Sequence, residues 1–290
     1  MNVHKLFLLL SFMIVSCGND LAPQSFPEQT LVADGNDEAT YSLILNKGYN
    51  YETPDNSGAH SSAPYRHIRQ SFDESLGKYV FDFILHIEND DDRGKANIKD
   101  RQRNEIKTDA KSPDNMVAQI GETLVMKWKF MLPDGMQTTT KFSHVHQLKG
   151  IDNSEGNADV SSPLITFTAR SLSSGGQQFQ IIHTSPSSQG SKNTTIFKCD
   201  LAKFLGRWVE VVETVTFDDK GAYEVEIRTV DDGTPLVRLA PHTLSLWREG
   251  STGMRPKWGL YRHFGTDRSN AHLLRDECLK FADFSVQKVR

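Results

Sequence analysis

The sequence predicts an all-β domain, a sandwich or jelly roll, and three observations lead to this fold class. Short segments rich in aromatic and β-branched residues recur along the chain, for example residues 78–87, 124–132 and 208–215. Turn sequences such as residues 133–135 and 218–221 separate these segments. We find no long amphipathic helix and no internal repeat. Many short strands divided by turns are typical of sandwiches and jelly rolls.

The composition excludes several classes of protein. The chain has 290 residues, of which 37% are hydrophobic and 24% charged. These values fit one large all-β domain with a proper core and exclude wholesale disorder. The net charge of −4 argues against a general nucleic-acid-binding protein, so any basic surface must be local. We expect a monomer.

The first residues have the pattern of an export signal. A short positive start is followed by an apolar run, residues 6–15, which is too short to span a bilayer as a mature helix. Ser16 and Cys17 follow this run. The whole segment resembles a bacterial lipoprotein signal, in which the cysteine becomes the lipidated first residue of the mature protein. This pattern predicts an exported, membrane-anchored lipoprotein that faces the periplasm or the cell surface. The alternative is a plain secretory signal with an incidental cysteine.

The rest of the chain divides into a tether and one domain. Residues 1–16 would be removed as the signal. Residues 17–40 are polar and contain prolines and glycines, so we expect a flexible tether there. Residues 41–290 contain no linker and are predicted to form a single domain. In an exported chain, Cys199 and Cys278 are read as one disulfide; the alternative is two buried free thiols.

The segment 257–263 is the centre of the functional prediction. As a β-strand it places Lys257, Gly259, Tyr261 and His263 on one face. The glycine leaves a gap in which a bulky ligand lies close to the backbone. A phenol beside fixed positive charge is expected to have a lowered pKa and to transfer protons near neutral pH. The alternative is an ordinary aromatic strand with a lysine on its solvent-exposed face.

The segment 101–107 is the second informative stretch. As a strand it places Arg101, Arg103, Glu105 and Lys107 on one face. Three cations around one carboxylate suit a groove for an anionic ligand, with Glu105 holding the cations in position. The alternative is an exposed face covered with salt bridges.

A third stretch contains His144 and His146, which share one face of a regular strand, while Gln147 points to the other face unless a bulge turns it. Two histidines at this spacing can bind a transition metal, but no third and fourth ligand are evident. Imidazoles also act as general bases. The acidic segment 88–92 either binds a structural calcium or is a solvated loop, and its spacing matches no defined calcium loop.

Together these stretches resemble the jelly-roll polysaccharide lyases, a group that includes alginate lyases, heparin lyase I and ulvan lyases. Residues 103–107 match an Arg-x-Glu-(Leu/Ile)-(Arg/Lys) strand. Residues 144–146 match a central Gln-x-His or His-x-His strand, and residues 257–261 match Lys-x-Gly-x-Tyr. The resemblance covers residues 65–290. It departs at Asn104, where a small hydroxyl residue is frequent, and at His263, where alginate lyases often have Gln, which disfavours alginate.

The resemblance implies a concanavalin-like β-jelly roll of two stacked antiparallel sheets with a concave substrate groove. It also implies β-elimination on a uronic-acid-containing polysaccharide, with ulvan as our first candidate ahead of heparin-type glycosaminoglycan and alginate. Tyr261 would be the acid and also a candidate base, His146 its partner and His144 a second candidate. The expected substrate-binding residues are Arg103, Lys257, Gln147, Glu105, Lys107 and His263. No cofactor is required by this scheme.

Two other functions compete with this interpretation. The first is a non-catalytic sugar-binding lipoprotein of the same fold, which would use Trp247 and Trp258 as aromatic platforms. The second is a glycoside hydrolase, which needs paired carboxylates. The Glu-x-Asp-x-x-Glu signature of jelly-roll hydrolases fails at Arg93, which makes the hydrolase less favoured.

Overall fold

The computed structural model describes residues 27–56, 58–95 and 98–289. Within them the chain forms fifteen strands and one short α-helix, α1 (Thr40–Asn46), besides short 3₁₀ turns. The strands are β1 (Gln29–Leu31), β2 (Asn50–Glu52), β3 (Ile68–Asp73), β4 (Lys78–Leu85), β5 (Arg101–Lys107), β6 (Thr123–Met131), β7 (Ser143–Ile151), β8 (Ile165–Ser171), β9 (Gln177–Thr184), β10 (Asn193–Asp200), β11 (Trp208–Thr216), β12 (Gly221–Thr229), β13 (Pro235–Leu244), β14 (Gly253–His263) and β15 (Glu277–Val289).

The strands form two antiparallel sheets, which confirms the predicted all-β sandwich. The first sheet has the order β13-β12-β11-β6-β15-β4-β3, and β1 pairs with β15 beyond the end of β4. The second sheet has the order β10-β9-β8-β7-β14-β5-β2. Most neighbours are far apart in sequence, so the two informative strands β5 and β14 are adjacent although about 150 residues separate them.

The core lies between the inner faces of the two sheets. Alternation along β4 puts Phe81, Phe83 and Leu85 into it, and β14 contributes Trp258 and Leu260. All five side chains are at most 1% exposed. Because successive side chains of a strand point to opposite faces, burying Trp258 and Leu260 turns Lys257 and Tyr261 to the outer face of the second sheet.

The segment expected to be a tether is folded at its C-terminal end. Gln29–Leu31 pairs with β15, and the side chain of Gln70 accepts hydrogen bonds from the backbone of Asp34 and Gly35, both at 2.8 Å. The predicted start of the domain at residue 41 is therefore too late. The signal segment and Cys17 lie outside the described residues. Every helix within the described residues lacks the length and hydrophobicity that a membrane-spanning helix needs.

The predicted disulfide is not formed. Cys199 and Cys278 are both free and partly buried. Cys199 lies on β10, the edge strand of the second sheet, and Cys278 lies on β15 in the interior of the first sheet. Placement on different sheets separates the two thiols, and sequence spacing contains no information about this. Burial raises the pKa of the Cys278 thiol to about 12, so it is an unreactive thiol.

Candidate active site

The outer face of the second sheet, the face turned away from the core, brings the predicted strands together. β14 pairs with β7 on one side and β5 on the other. Tyr261 is opposite His144 and Arg103, and Lys257 is opposite Gln147 and Lys107. Residues that face each other across strands have close Cβ atoms. The phenol, one imidazole and the guanidinium are therefore neighbours on one surface.

Tyr261 is held between two arginines. Its hydroxyl accepts a hydrogen bond from Nη1 of Arg101 at 2.9 Å, and the guanidinium carbon of Arg103 lies 3.6 Å from the centre of its ring. Burial raises the pKa of Tyr261 above its usual value, and the two arginines only partly oppose this effect. The expected lowering of the Tyr261 pKa is therefore wrong, because desolvation of the phenolate outweighs the nearby positive charge. At neutral pH this phenol is a proton donor.

His144 is next to Tyr261, with a ring-to-ring distance of 6.1 Å, and stacks on Phe142 at 4.2 Å. Its Nδ1 lies 2.7 Å from Oγ1 of Thr168, whose own hydroxyl donates to Oγ1 of Thr166. Thr168 must therefore accept from His144, so Nδ1 carries the ring proton and Nε2 has the lone pair. Burial, followed by the charges of Arg170 and Arg103, lowers the pKa of His144 well below 6.5. This imidazole is neutral and basic at Nε2.

His146, the expected partner of Tyr261, does not lie on this face. A bulge between His144 and His146 shifts the register with β8 and leaves Val145 as the extra residue. The expectation that the two histidines share a face is therefore wrong. His146 is 0% exposed and packs in the core against Trp128 at 4.6 Å. Its Nε2 lies 3.0 Å from Oε2 of Glu213 on the opposite sheet.

The same bulge turns Gln147 to the outer face, which is the alternative that a bulged strand predicts. Its amide donates to Oε1 of Glu105, whose Oε2 accepts from Nη1 of Arg103 at 2.7 Å and from Nζ of Lys257 at 2.6 Å. Glu105 is 1% exposed, and these cations lower its carboxyl pKa despite burial. The predicted arrangement is present only in part. Of the three strand β5 cations expected around Glu105, only Arg103 contacts it, whereas Lys107 donates to Glu52 and Arg101 donates to Asp100.

Sequence reasoning missed two carboxylates of this network. Glu52 on β2 accepts from Lys257 at 2.6 Å and from Lys107 at 3.0 Å, and Asp92 accepts from Nε of Arg103 at 2.7 Å. β2 has only three residues and shows no pattern, so nothing in the sequence indicated Glu52. Asp92 was visible only as part of the acidic segment 88–92.

Three further cations line the outer face and were also missed. Lys149 lies opposite Arg255 in the β7–β14 pair, and Arg170 is close enough to His144 to affect its pKa. Burial, and then the charges of Lys257 and Arg103, lower the pKa of Lys149 to about 7. Within the described residues, Nε of Arg170 and Nη1 of Arg255 are buried without a hydrogen-bond partner. Buried donors of this kind are costly unless a ligand satisfies them.

The remaining sequence-predicted residues have other roles. His263 is at the end of β14, with Nε2 3.0 Å from Oδ2 of Asp100. Gly259 does not make room for a ligand, because its absent side chain points at β5: a Cβ there would lie 2.1 Å from the carbonyl oxygen of Asn104. Asn104 itself is fully buried and donates to backbone carbonyls of residues 67 and 84. The asparagine at position 104, where the lyases frequently have a small hydroxyl residue, therefore affects packing of the core and not contact with a substrate.

Comparison with solved structures identifies the fold. An alginate lyase of family PL-14 from Aplysia kurodai has a TM-score of 0.54 at 11% identity, covering 91% of this chain and 98% of its own. An endo-β-1,4-glucuronan lyase from Trichoderma reesei has a TM-score of 0.52 at 11% identity, covering 82% and 90%. The alginate lyase Aly36B, solved with an alginate trisaccharide, has a TM-score of 0.50 at 9% identity, covering 90% and 99%.

These likenesses show that the chain has the jelly-roll fold of the polysaccharide lyases, which confirms the predicted resemblance for the fold. No protein-family model matches the sequence, and no curated protein does.

The two tryptophans that the competing sugar-binding hypothesis needs as aromatic platforms can also be located. Trp258 is 0% exposed in the core and is no platform, and Trp247 packs partly buried against the core.

Proposed function

We propose that this protein is a polysaccharide lyase that cleaves a uronic-acid-containing anionic polysaccharide by β-elimination. The observation that carries the proposal is a protonated phenol, Tyr261, which lies under the guanidinium of Arg103 and beside a neutral imidazole, His144. An elimination of this kind needs one group that accepts a proton and one that donates it. The opposite pKa shifts of Tyr261 and His144 supply these two groups at neutral pH.

In the proposed reaction, Nε2 of His144 removes the C5 proton of the uronic acid. The electron pair of that C–H bond forms the C4–C5 double bond while the C4–O bond breaks, and the hydroxyl of Tyr261 protonates the leaving oxygen. Proton exchange with solvent then restores both side chains. This assignment replaces His146 by His144 as the partner of Tyr261.

The C5 proton is acidic enough only when the neighbouring carboxylate is neutralised, so donors must be aimed at the dianion that develops. We assign this role to Arg103, whose guanidinium is held by Asp92 and Glu105. The unpartnered nitrogens of Arg170 and Arg255 are additional donors on the same face. Fixed donors in a partly dry site stabilise such charge more strongly than water does.

Among uronate glycans, we propose ulvan as the first substrate to test, ahead of heparin-type glycosaminoglycan and alginate. Ulvan and heparin carry sulfate as well as carboxylate. Within the described residues, Nε of Arg170 and Nη1 of Arg255 on the outer face have no hydrogen-bond partner, which suits a substrate with extra anionic groups. We further propose that the protein works as an exported lipoprotein anchored through Cys17, as its first residues predict.

The test is a panel of uronate polysaccharides incubated with the protein, followed by ultraviolet absorbance of the unsaturated uronate product. We expect Tyr261→Phe to reduce the rate by roughly 10²- to 10⁴-fold, the usual contribution of a positioned general acid. The matched control is Tyr79→Phe, because Tyr79 is 43% exposed on the first sheet. Full activity of Tyr261→Phe would refute the assignment. Binding without any absorbance change would support the non-catalytic sugar-binding alternative.

A further inference from the structure

Three histidines and one aspartate, none of which contacts Tyr261, converge at the open end of the β3–β4 hairpin. His67 directly precedes β3, His86 directly follows β4, Asp90 lies in the acidic loop beyond it, and His60 comes from a 3₁₀ turn. One ligand atom from each of the four residues lies within 4.8 Å of the other three. The sequence of the acidic loop left a calcium site open, but Asp90 of this loop is surrounded by imidazoles.

The distances suit a small cation with four ligands. Oδ1 of Asp90 lies 3.0 Å from Nε2 of His60 and 3.0 Å from Nε2 of His67, and its Oδ2 lies 3.3 Å from Nδ1 of His86. Neighbouring ligand atoms around a tetrahedral zinc ion are roughly 3.3 Å apart, given zinc–nitrogen and zinc–oxygen bonds of about 2 Å. Small adjustments of these side chains would therefore enclose a metal ion.

One ring nitrogen of His67 and one of His86 face Asp90 at the centre of this cluster. Nδ1 of His67 faces two acceptors, Oδ1 of Asp55 and the carbonyl oxygen of Tyr65, both at 3.0 Å. Nδ1 therefore carries a proton, and Nε2, which lies 3.0 Å from Oδ1 of Asp90, is the ring nitrogen that would bind a metal ion in place of a proton. Within the described chain, Nδ1 of His86 is buried and has no hydrogen-bond partner, despite its proximity to Asp90.

Residues behind the four proposed ligands hold them in place, as the second layer of a metal site does. Asp55 accepts from His67 Nδ1 and from the hydroxyl of Tyr41 at 2.9 Å, so a carboxylate orients one imidazole and is itself held in place. A carboxylate behind a ligating histidine is the usual second layer of a zinc site. The side chains of His67 and Asp90 are 0% exposed, whereas those of His60 and His86 are 13% and 22% exposed, which leaves a way in for an ion.

We propose that His60, His67, His86 and Asp90 bind a structural transition-metal ion of the zinc class. Three imidazole nitrogens and one carboxylate oxygen favour zinc over calcium, which prefers six to eight oxygen ligands. With four protein ligands the site is closed, as in structural rather than catalytic zinc sites.

The metal would also stabilise the candidate active site. The segment that carries His86 and Asp90 continues to Asp92, which holds Arg103 over Tyr261. Gln102, next to Arg103, donates to the backbone carbonyl of Asp90 at 2.9 Å. Ordering the acidic loop therefore fixes the position of Arg103. The metal site itself does not depend on the proposed lyase activity.

The experiment measures the metal content of the full-length protein, purified without a metal-affinity tag, by plasma mass spectrometry. We expect about one zinc per chain and its loss in His60→Ala and in His86→Ala. His272→Ala is the matched control, because His272 is exposed and outside the cluster. Asp55→Asn should weaken zinc affinity by about 10- to 100-fold without removing a ligand. Cobalt exchanged into the site should show the visible absorption of tetrahedral coordination.

Thermal unfolding gives a second measurement that does not involve activity. A chelator should lower the melting temperature of the wild-type protein, zinc should restore it and calcium should not. The proposal is overturned if the protein contains no zinc, takes up none and melts unchanged with chelator, which would indicate a metal-free cluster of imidazolium and carboxylate. It is equally overturned if calcium occupies the site, or if the ligand variants retain as much zinc as His272→Ala.

Discussion

His144 and His146 differ by two positions and lie on opposite sides of the second sheet. His144 contacts Tyr261 on the outer face, whereas His146 pairs with Glu213 in the core, and Glu213 also accepts from Tyr223 at 2.8 Å. Removing one partner of a buried pair of this kind costs about 3 to 5 kcal/mol. We therefore expect His146→Ala to lower the free energy of unfolding by that amount with little change in kcat/KM of the folded protein.

His144→Ala should give the opposite result. It removes the proposed base, so kcat/KM should fall by roughly 10²-fold or more, while the free energy of unfolding changes much less than in His146→Ala. Urea unfolding and initial rates on the best glycan of the panel measure both quantities. If His146→Ala is stable and inactive, His146 is the catalytic residue and the assignment to His144 fails.

The pH dependence tests the environment of His144. Its pKa lies well below 6.5, so the base is unprotonated at neutral pH, and activity should persist as the pH falls through 6.5. Among the charges that lower this pKa, that of Arg170 has a larger effect than that of Arg103. Arg170→Gln removes a positive charge and so favours the imidazolium. The His144 pKa should rise, and activity should be lost at a higher pH than in the wild type.

The measurement is kcat/KM against pH for wild type, Arg170→Gln and Arg238→Gln. Arg238 is a suitable control because it is exposed on the first sheet and pairs with Glu226. The maximum rate of Arg170→Gln can also fall, but only the midpoint of the acidic limb reports on His144. A midpoint that stays with the wild type, or moves to lower pH, contradicts the proposed influence of Arg170.

At the scale of residues, the sequence predicted which kinds of side chain form the site better than it predicted which face of the sheet each one occupies. Tyr261, Arg103 and Lys257 were predicted on one face because β14 and β5 keep their alternation there. His146 was misplaced because a one-residue bulge reverses the faces of a strand, and Val145 gives no sign of it. Glu52 was missed because its role comes from contacts with residues far along the chain.

At the scale of elements, the close pairing of β14 with β5 depends on Gly259. Its φ is +137°, and a Cβ would lie 2.1 Å from the carbonyl oxygen of Asn104 and 2.8 Å from Cα of Glu105. Backbone atoms cannot move aside cheaply, so Gly259→Ala must push the two strands apart. We expect it to cost roughly 3 kcal/mol or more and to abolish activity, because Tyr261 and Arg103 are on these strands.

Gly233→Ala is the control that distinguishes the cost of a positive φ from the cost of a steric clash at position 259. Gly233 has a φ of +70° and no atom within 4 Å of its Cβ position. Its replacement should cost only about 1 to 2 kcal/mol, the usual penalty for a side chain in the left-handed region. Denaturant unfolding of both variants gives the comparison. Equal costs would mean that the approach of β5 is not what requires a glycine at position 259.

Strands with strong patterns were predicted well, and short elements were not. β4 and β14 are long enough for alternation and aromatic content to be evident. β1 and β2 have three residues each and exist because neighbouring strands offer them hydrogen bonds. The tether prediction was wrong at its end for the same reason: Gln29–Leu31 has no pattern of its own and is ordered by β15.

At the scale of the whole molecule, charge is distributed unevenly. The chain has a net charge of −4, yet the outer face of the second sheet carries a cluster of cations, including Arg170 and Arg255. A local positive field attracts an anionic polysaccharide at distances where the net charge alone would repel it. The composition excluded a general basic protein, but only the fold shows that these cations share a face.

Salt should therefore weaken the reaction in a characteristic way. Screening lengths fall from about 30 Å to about 8 Å between 0.01 M and 0.15 M ionic strength. We expect kcat/KM to fall by roughly tenfold over this range, because steering by local charge is screened. Arg255→Gln removes a cation of the outer face and should flatten this dependence. Arg228→Gln, on the first sheet and paired with Glu226, should keep the wild-type slope. Rates that do not respond to salt, measured where the melting temperature is constant, would mean that the cations serve the fold and not the substrate.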